Sequence, residues 1–243
     1  MKLAYTSLAK YYDLLFSGKD YLQESEFLKS IVKTRLSNAK SILDVGCGTG
    51  NHLNLLTDVF ETLWGVDLNR EILEIAKSKS RKIRYQIGGM KDFNINLKFD
   101  VITCLYSVFN YNLTSSEAIQ TLSNFKRHLN QDGITIIALY TPHNVDEEIG
   151  LNLGSNKEVE VAKIDQFVFD PKTHMETSDF LVLLKTPDGI DFKIEKNHQF
   201  RIYDPDEFRK LCYQAGFSKI DFFDRFKNKP ITKQTKYPVA VIQ

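Results

Sequence analysis

The stretch LDVGCGTGN, residues 43–51, decides the fold of this 243-residue chain. An apolar, partly β-branched run leads directly into three glycines at alternate positions, Gly46, Gly48 and Gly50. This pattern predicts a strand that turns sharply into a helix, because glycine adopts backbone angles that other residues avoid and lets a ligand approach the main chain. The sequence therefore predicts a ligand-binding turn inside an α/β domain.

Strand-like and helical segments alternate around this turn, which predicts a doubly wound, Rossmann-like parallel sheet with right-handed crossovers. Ser115 and Ser116 are the expected caps of the last of these helices, which should stop at Asp132 and Gly133. The predicted strands are 41–45, 62–66, 83–87, 101–105 and 134–139, and the predicted helices are 51–59, 70–80 and 115–129.

The segments on either side of this core have different hydrophobic patterns. A pair of helices over 5–36, broken at Ser17 and Gly18, is expected to form an N-terminal lid. Residues 157–203 predict an antiparallel β meander, inserted into the sheet or added beside it, with runs at 159–169, 175–185 and 192–203. A helix at 206–215 and strands at 218–226 and 238–242 complete a mainly parallel, seven-stranded sheet.

We expect a single domain over 1–243, since one α/β domain commonly reaches about 200 to 250 residues. Its predicted parts are the helical lid 1–40, a cofactor-binding core 41–142, the antiparallel insertion 143–203 and a C-terminal segment 204–243 that completes the sheet.

The composition restricts the classes of function. Lys and Arg total 32 against 31 Asp and Glu, so no overall field favours nucleic acid as a partner. No apolar run reaches the ~18 residues that a membrane span needs, and a cytoplasmic protein is expected. Cys47, Cys104 and Cys212 lack CxxC spacing and the five histidines lack ligand spacing, which predicts reduced, buried thiols and no metal. Monomer and homodimer both stay open.

The turn differs from a dinucleotide fingerprint. Counting from Gly46, the sixth position of G-x-G-x-x-G is Asn51 instead of glycine. Asp44 adds a carboxylate that would repel a pyrophosphate and attract a ligand carrying an ammonium and a sulfonium. Asp67, about 20 residues beyond the turn, stands where an acid accepts hydrogen bonds from a ribose diol. A nicotinamide oxidoreductase is therefore disfavoured.

The loop IGGMKDF, residues 87–93, predicts the pocket for an adenine ring. Met90 is expected to pack against the face of the ring, and Asp92 to accept a hydrogen bond from its amine. Two alternatives stay open: Met90 as ordinary core, and Asp44 as a stabiliser of the helix that follows it.

The segments LDVGCGTG, GVDLN, GGMKDF and VITCLYSVFNY resemble the class I S-adenosylmethionine-dependent methyltransferases. YYDLLFSGKDYLQES, CLYSVFNY, FKRHLNQDG and HQFRIYDPDEFRKLCYQAGF are similar to the sugar N-methyltransferases that dimethylate nucleotide-linked amino-deoxy sugars. The resemblance implies methyl transfer from S-adenosyl-L-methionine to a small molecule, with S-adenosyl-L-homocysteine as product. Family members often carry an acid at the position of Gly89, so here the adenine amine is expected to meet a backbone group or Asp92.

The resemblance also implies roles for individual residues. Tyr12 would point its hydroxyl at the acceptor, and His128 would lie near the substrate amine as the second catalytic residue. The implied cofactor-binding residues are Tyr21, Asp44, Gly46, Cys47, Gly48, Gly50, Asp67, Leu68, Gly89, Met90, Lys91, Asp92 and Ser107.

Further substrate contacts are expected from the residue types. Tyr11 belongs to the lid beside Tyr12, and His198 with Arg201 could hold an anionic part of the substrate. The alternatives are an aromatic anchor for the lid, and ordinary surface charge on a strand. For His128 the alternative is a cation at a helix C-terminus.

Three functional hypotheses remain after these observations. Methyl transfer from a sulfonium mainly requires alignment and exclusion of water, so an amine acceptor does not need a strong base. The favoured hypothesis is N-methylation of an amino sugar or a similar small amine, and O-methylation of a small metabolite is the alternative. A module that binds S-adenosylmethionine without catalysis, or modifies a protein or RNA, also stays open.

Overall fold

The computed structural model describes residues 6–141, 149–233 and 235–243. The predicted boundary between residues 142 and 143, His143 and the predicted helix start at Tyr5 lie outside the described residues. In chain order the strands are β1 (Ser41–Val45), β2 (Thr62–Asp67), β3 (Ile83–Ile87), β4 (Phe99–Cys104), β5 (Leu129–Ala138), β6 (Gly150–Ser155), β7 (Glu160–Asp170), β8 (Met175–Thr186), β9 (Gly189–Arg201), β10 (Ile220–Asp224) and β11 (Pro238–Ile242).

Helices lie between most of the first five strands, although none separates β3 from β4, and they also precede and follow these strands. They are α1 (Tyr12–Leu15), α2 (Tyr21–Arg35), α3 (Asn51–Asn54), α4 (Arg70–Lys79), α5 (Ser115–His128) and α6 (Pro205–Gln214), with 3₁₀ helices at Thr6–Tyr11 and Val108–Tyr111.

The larger sheet has the strand order β10-β11-β5-β4-β1-β2-β3. Strands β1 to β5 run parallel, and β11 is antiparallel to both β5 and β10. Since β1 lies between β2 and β4, the chain reverses its direction of winding there, and ligands of open α/β sheets bind at the carboxyl ends of such strands. The prediction of a mainly parallel, seven-stranded sheet is confirmed.

Helices cover both faces of the larger sheet. On one face Phe125 of α5 and Phe208 of α6 pack in the same cluster as Leu43. On the other face Phe27 and the rest of the apolar side of α2 pack with Ile42. Successive residues of β1 thus enter opposite cores, which is why the strand reads as a continuous apolar run.

The smaller sheet contains β6 to β9 in sequential antiparallel order. It lies beside the parallel sheet and shares no strand with it. Its inner face packs against the N-terminal helices through a cluster that includes Leu8, Leu15 and Phe180. Its strands also expose large apolar side chains, among them Leu151, Leu153, Val168, Ile190, Phe192 and Ile194.

Two strand predictions differ from the structure. β6 was not predicted, because Gly150 and Gly154 give its sequence GLNLGS a composition typical of loops. β5 begins at Leu129 instead of residue 134, since the polar segment 130–132 continues the strand with its side chains exposed. Pairing of Leu129 with Phe99, followed by a bulge, extends β5 in this way.

Two helix predictions also differ. α3 ends at Asn54, because the chain then closes short turns in which the amides of Leu55 and Leu56 bond three residues back. Thr114, and neither Ser115 nor Ser116, caps α5. Its hydroxyl accepts from the Glu117 amide while the Glu117 carboxylate accepts from the Thr114 amide, a reciprocal capping box.

Three further expectations concern the whole chain. Cys47, Cys104 and Cys212 are buried and free, as predicted. Across 6–141, 149–233 and 235–243, no helix is long and apolar enough to cross a membrane. The same ranges contain no group of three or more His, Cys, Asp or Glu side chains that could hold a metal ion.

Candidate active site

A cavity of ≈ 320 Å³ lies at the carboxyl ends of β1, β2 and β4. Residues of α1 and α2 cover it, and residues of the smaller sheet close one side. Its lining includes Tyr12, Phe16, Lys19, Tyr21, Asp44, Gly46, Cys47, Gly48, Asp67, Leu68, Asn69, Ile72, Gly88, Met90, Tyr106, Ser107, Tyr111, Tyr140, Phe167, Glu176 and Phe200.

The glycine-rich turn forms one wall of this cavity. Gly46, Gly48 and Gly50 have φ of +73°, +54° and +74°, a left-handed conformation that L side chains rarely adopt. A Cβ on Gly46 would lie 2.5 Å from Cγ1 of Val108, so space as well as backbone angle requires glycine there. Gly50 serves packing, since its Cβ would meet the Tyr85 hydroxyl at 2.3 Å and the residue does not line the cavity.

Two buried carboxylates flank the turn. Asp44 accepts a hydrogen bond from Thr103 Oγ1 at 2.7 Å, and burial raises the pKa of its carboxyl. Asp67 accepts from the amides of Gly48 and Asn69, both at 2.9 Å. Burial raises the pKa of Asp67 as well, although these backbone hydrogen bonds oppose the effect. Both groups give the cavity a negative character that favours a cationic ligand.

The predicted adenine loop reaches the cavity only in part. Leu68 and Met90 line it together with Gly88 and Ile72, which gives this end an apolar wall. Gly89, Lys91 and Asp92 do not line it. Lys91 instead forms an ion pair with Glu117 at 2.6 Å, and the Asp92 side chain is exposed.

The N-terminal lid is fastened directly to the glycine-rich turn. Asp13 of α1 accepts hydrogen bonds from Thr49 Oγ1 at 2.5 Å and from Asn51 Nδ2 at 3.1 Å. The Tyr12 ring faces Gly48, since a Cβ on that glycine would lie 3.5 Å from the tyrosine hydroxyl. This attachment places an aromatic side chain over the turn.

Tyr21 and Tyr11 differ in position. Tyr21 lines the cavity with its ring centroid 5.0 Å from that of His52, and burial raises its pKa to about 12. Tyr11 packs with the cluster between the lid and the smaller sheet, and it does not line the cavity.

The segment after β4 carries local backbone strain. Tyr106 and Ser107 have φ of +59° and +58°, which costs a non-glycine residue of order 1 to 3 kcal/mol. Both line the cavity. Asn110, just beyond them, is fully buried and donates to the carbonyls of Tyr140 and Arg201 at 3.0 and 2.7 Å. It therefore links this segment to β9 of the smaller sheet.

His128 lies away from the cavity, which does not support its predicted catalytic role. Its Nε2 accepts from the Ile95 amide at 3.3 Å, so the proton resides on Nδ1, which donates to the Asn124 carbonyl at 2.9 Å. Burial lowers the pKa of the ring. Both nitrogens are thus engaged: Nδ1 within α5, and Nε2 in joining α5 to the segment before β4.

His198 and Arg201 also fall outside the cavity lining. The His198 ring packs against Phe180 with centroids 4.9 Å apart, and the Arg201 guanidinium forms an ion pair with Glu207. Their predicted contact with an anionic substrate therefore gains no support from their positions.

Sequence reasoning missed one group of lining residues, here called the acceptor wall. It consists of Phe167, Glu176 and Phe200 from the smaller sheet with Tyr111 and Tyr140 from the segments after β4 and β5. The available signal was a glutamate in the apolar phase of β8, where alternate residues are buried. Lys19 was also missed, and its ammonium lies over the Tyr106 ring.

Comparison with known proteins agrees with this architecture. Residues 42–133 match the methyltransferase domain family. The chain is 34% identical over 132 residues to the dTDP-3-amino-3,6-dideoxy-alpha-D-glucopyranose N,N-dimethyltransferase of Streptomyces fradiae, and the match covers 54% of this chain and 52% of the relative, about half its length.

Two further matches extend over most of the chain. Identity is 28% over 214 residues to the dTDP-4-amino-2,3,4,6-tetradeoxy-D-glucose N,N-dimethyltransferase of Saccharopolyspora spinosa, covering 86% of this chain and 84% of the relative. A solved S-adenosylmethionine-dependent methyltransferase from Clostridium acetobutylicum has the same fold, with a TM-score of 0.82, 24% identity and 99% of each chain covered. Residues 42–133 thus match a methyltransferase domain, and the chain is similar to enzymes named as N,N-dimethyltransferases of nucleotide-linked amino sugars.

Proposed function

We propose that this protein transfers a methyl group from S-adenosylmethionine to the amino group of a nucleotide-linked amino sugar or a similar small amine. The observation that carries the proposal is a single cavity with two kinds of wall. Asp44, Asp67 and the glycine-rich turn line it on the larger sheet, and the acceptor wall lines it on the smaller sheet. Such a cavity can hold a cationic nucleoside and an acceptor side by side.

The residues on the larger sheet fit S-adenosylmethionine. Asp67 is held by two backbone amides, yet each oxygen retains acceptor capacity for a ribose hydroxyl. Asp44 is buried beside the turn, where a nearby positive charge would offset the cost of its ionisation. Met90 and Leu68 provide the apolar surface that an adenine ring requires.

The bound donor supplies an electrophilic methyl group, and this chain aligns the acceptor and excludes water. Tyr12 and Tyr21 cover the turn from the lid, and Ser107 contributes from the strained segment after β4. Tyr12 remains the proposed contact for the acceptor nitrogen. His128 has no part in the proposal, because both of its ring nitrogens bond to backbone groups outside the cavity.

The proposal includes a small molecule as partner and a cytoplasmic location. The balance of 32 basic and 31 acidic residues supports a small molecule over RNA, which would favour a basic face. Binding of random RNA that weakens steeply with added salt would contradict this part. Monomer and homodimer are both compatible with the proposed chemistry.

Replacement of Asp67 tests the donor site. Asp67→Ala should weaken binding of S-adenosylmethionine by about 1.5 to 3 kcal/mol in calorimetric titration, through the loss of hydrogen bonds to a charged acceptor. Asp92→Ala is the matched control, since this exposed acid lies outside the cavity and should leave the affinity unchanged. Equal affinities of the Asp67→Ala variant and the parent would remove Asp67 from the site, and tight NAD binding without S-adenosylmethionine binding would overturn the proposal.

An acceptor screen tests the reaction itself. The amino sugar nucleotide dTDP-3-amino-3,6-dideoxyglucose and other small amines would be offered with S-adenosylmethionine, and S-adenosylhomocysteine would be quantified. Turnover of an amine is expected. Turnover of hydroxyl acceptors alone would assign O-methylation instead.

A further inference from the structure

Glu176 is a buried carboxylate on the acceptor wall. Its side chain is 1% exposed, and it belongs to the inner face of β8. Its cross-strand neighbours are Phe169 on β7 and Phe200 on β9, so the sheet supplies only aromatic rings on either side. The residue lines the same cavity as the proposed donor site.

Glu176 has no hydrogen bond or ion pair to any residue in the described part of the chain, and its Oε2 atom is buried without a partner. The other acids of the cavity are satisfied: Asp44 by Thr103, and Asp67 by two backbone amides. Burial alone raises the pKa of Glu176 to about 7. An unpaired buried carboxylate is costly, so a site that keeps one is suited to a ligand that pairs with it.

The titratable groups on the same face of the sheet have partners other than Glu176. On β9, His198 is one inward-facing position along from Phe200, and its ring packs against Phe180. Arg201, next to Phe200, forms an ion pair with Glu207. Further along β7, Lys163 pairs with Asp165 and is neutralised there. Tyr111 and Tyr140 approach from the larger sheet, and neither hydrogen-bonds to Glu176.

A ligand that satisfies such a carboxylate must donate hydrogen bonds and carry positive charge. A protonated amine does both, whereas a sugar hydroxyl donates one neutral hydrogen bond. Charge-assisted hydrogen bonds are roughly twice as strong as neutral ones, and a surrounding of aromatic side chains strengthens the pairing further. The chemistry of the acceptor wall thus distinguishes amines from alcohols.

We propose that Glu176 binds the acceptor nitrogen as an ammonium ion and then accepts its proton, so that the site selects cationic amines over hydroxyl acceptors. This inference rests on the proposed function. One proton passes from the ammonium to a carboxylate oxygen, which yields a neutral amine and a carboxylic acid. The nitrogen lone pair then forms the bond to the methyl carbon while the carbon–sulfur electron pair stays on sulfur. The methylated ammonium keeps the positive charge, and the carboxylic acid loses its proton to water before the next turnover.

The test compares Glu176→Gln with Glu195→Gln. Glu195 is a buried carboxylate of β9 that contacts Ser7 and does not line the cavity, which makes it a matched control. With the amine acceptor identified by the screen, kcat/KM of the Glu176→Gln variant should fall by about 100-fold or more, the usual contribution of a positioned proton acceptor. Its affinity for S-adenosylmethionine should stay within about twofold of the parent, as should both quantities for Glu195→Gln.

Two readouts separate this role from a structural one. The parent's kcat/KM should rise with pH through an apparent pKa near 7, and the Glu176→Gln variant should lose that limb. In the complex with S-adenosylhomocysteine, the parent should bind dTDP-3-amino-3,6-dideoxyglucose more tightly than the matching 3-hydroxy sugar nucleotide, and the variant should lose the preference. Glu176→Asp keeps the carboxylate on a shorter side chain. Its kcat/KM should still rise with pH as in the parent, with a higher KM for the amine. This variant replaces Glu176→Gln in the test if Glu176→Gln does not fold.

Unchanged kcat/KM, pH profile and amine preference in Glu176→Gln would overturn the inference and leave the proposed function intact. An equal loss in Glu195→Gln would also overturn it, since the effect would then belong to the sheet as a whole. Parent protein that methylates only hydroxyl acceptors would overturn the inference together with the amine acceptor of the proposed function, and would leave methyl transfer itself intact. Parent protein that does not bind S-adenosylmethionine would instead sink the proposed function.

Discussion

Two separable reasons for glycine are seen at Gly46 in the glycine-rich turn and at Gly216 after α6. Gly46 has a φ of +73°, and its missing Cβ leaves the space that Val108 occupies at 2.5 Å. Gly216, which ends α6, has a φ of +87° but no atom within 4 Å of a built Cβ. The pair therefore distinguishes backbone strain from steric crowding.

Gly46→Ala should lower the free energy of unfolding by about 1 to 3 kcal/mol more than Gly216→Ala, because only the first overpacks its surroundings. Urea denaturation of both variants measures the difference. Adding Val108→Ala to Gly46→Ala should recover the steric part, seen as a favourable coupling in a double-mutant cycle. Equal costs at the two glycines would show that Val108 moves aside freely.

Residues whose relative positions follow from the local sequence lie together in the cavity. Gly46, Gly48 and Asp67 could be located because a strand, a turn and a spacing of about 20 residues fix their relation in any doubly wound sheet. Glu176 could not be located in this way, because Asp44 and Asp67, which line the same cavity, lie more than a hundred residues away in sequence. His128 does not line the cavity, and its position at the end of a helix did not indicate in the sequence which neighbouring segment its ring contacts.

At the scale of elements, α5 shows how a helix start is specified. Thr114 and Glu117 cap each other's backbone amides, and Glu117 also accepts from the Leu113 amide at 2.8 Å. The sequence prediction placed the cap one or two residues later, because all three hydroxyl residues suit the position and only the capping-box spacing to Glu117 separates them.

Thr114→Ala should cost about 1 kcal/mol of unfolding free energy, through the amide left without its acceptor. Ser116→Ala is the control, since this exposed serine lies inside the first turn and should change stability by less than about 0.5 kcal/mol. Thermal and urea denaturation both report the effect. A larger loss for Ser116→Ala than for Thr114→Ala would contradict the assigned cap.

Element-level prediction was good for the parallel half and weaker for the smaller sheet. Each of the first four strands begins within two residues of its predicted start, because buried parallel strands read as continuous apolar runs. β6 escaped prediction since its two glycines and exposed leucines give no alternation of burial. Whether the meander joined the main sheet or formed its own depended on long-range pairing that no local pattern encodes.

At the scale of the whole molecule, Glu176 couples stability to pH. A glutamate carboxyl ordinarily titrates at 4.5, and burial raises the pKa of this one to about 7. Between these values the folded protein holds a proton that the unfolded chain has released. Stability therefore falls as pH rises from about 4.5 to 7 and is constant above that range, as far as this group is concerned.

Glu176→Gln removes this dependence, because an amide does not ionise. The variant should match the parent in unfolding free energy below about pH 4.5 and exceed it by about 3 kcal/mol at pH 8, the equivalent of the shift in pKa. Chemical denaturation at several pH values measures the difference. A gap between the two proteins that does not vary with pH would show that the carboxyl is solvated, and no substrate is needed for this measurement.

The two walls of the cavity belong to two different sheets, joined near the site by Asn110. Because each sheet completes its own backbone hydrogen bonds, side chains on the inner face of β7, β8 or β9 can be exchanged without disturbing the strands that carry the glycines. For the proposed reaction, this separation would let the recognition of donor and of acceptor diverge at independent rates during evolution. Related enzymes could then keep one methyl donor and change the molecule that they modify.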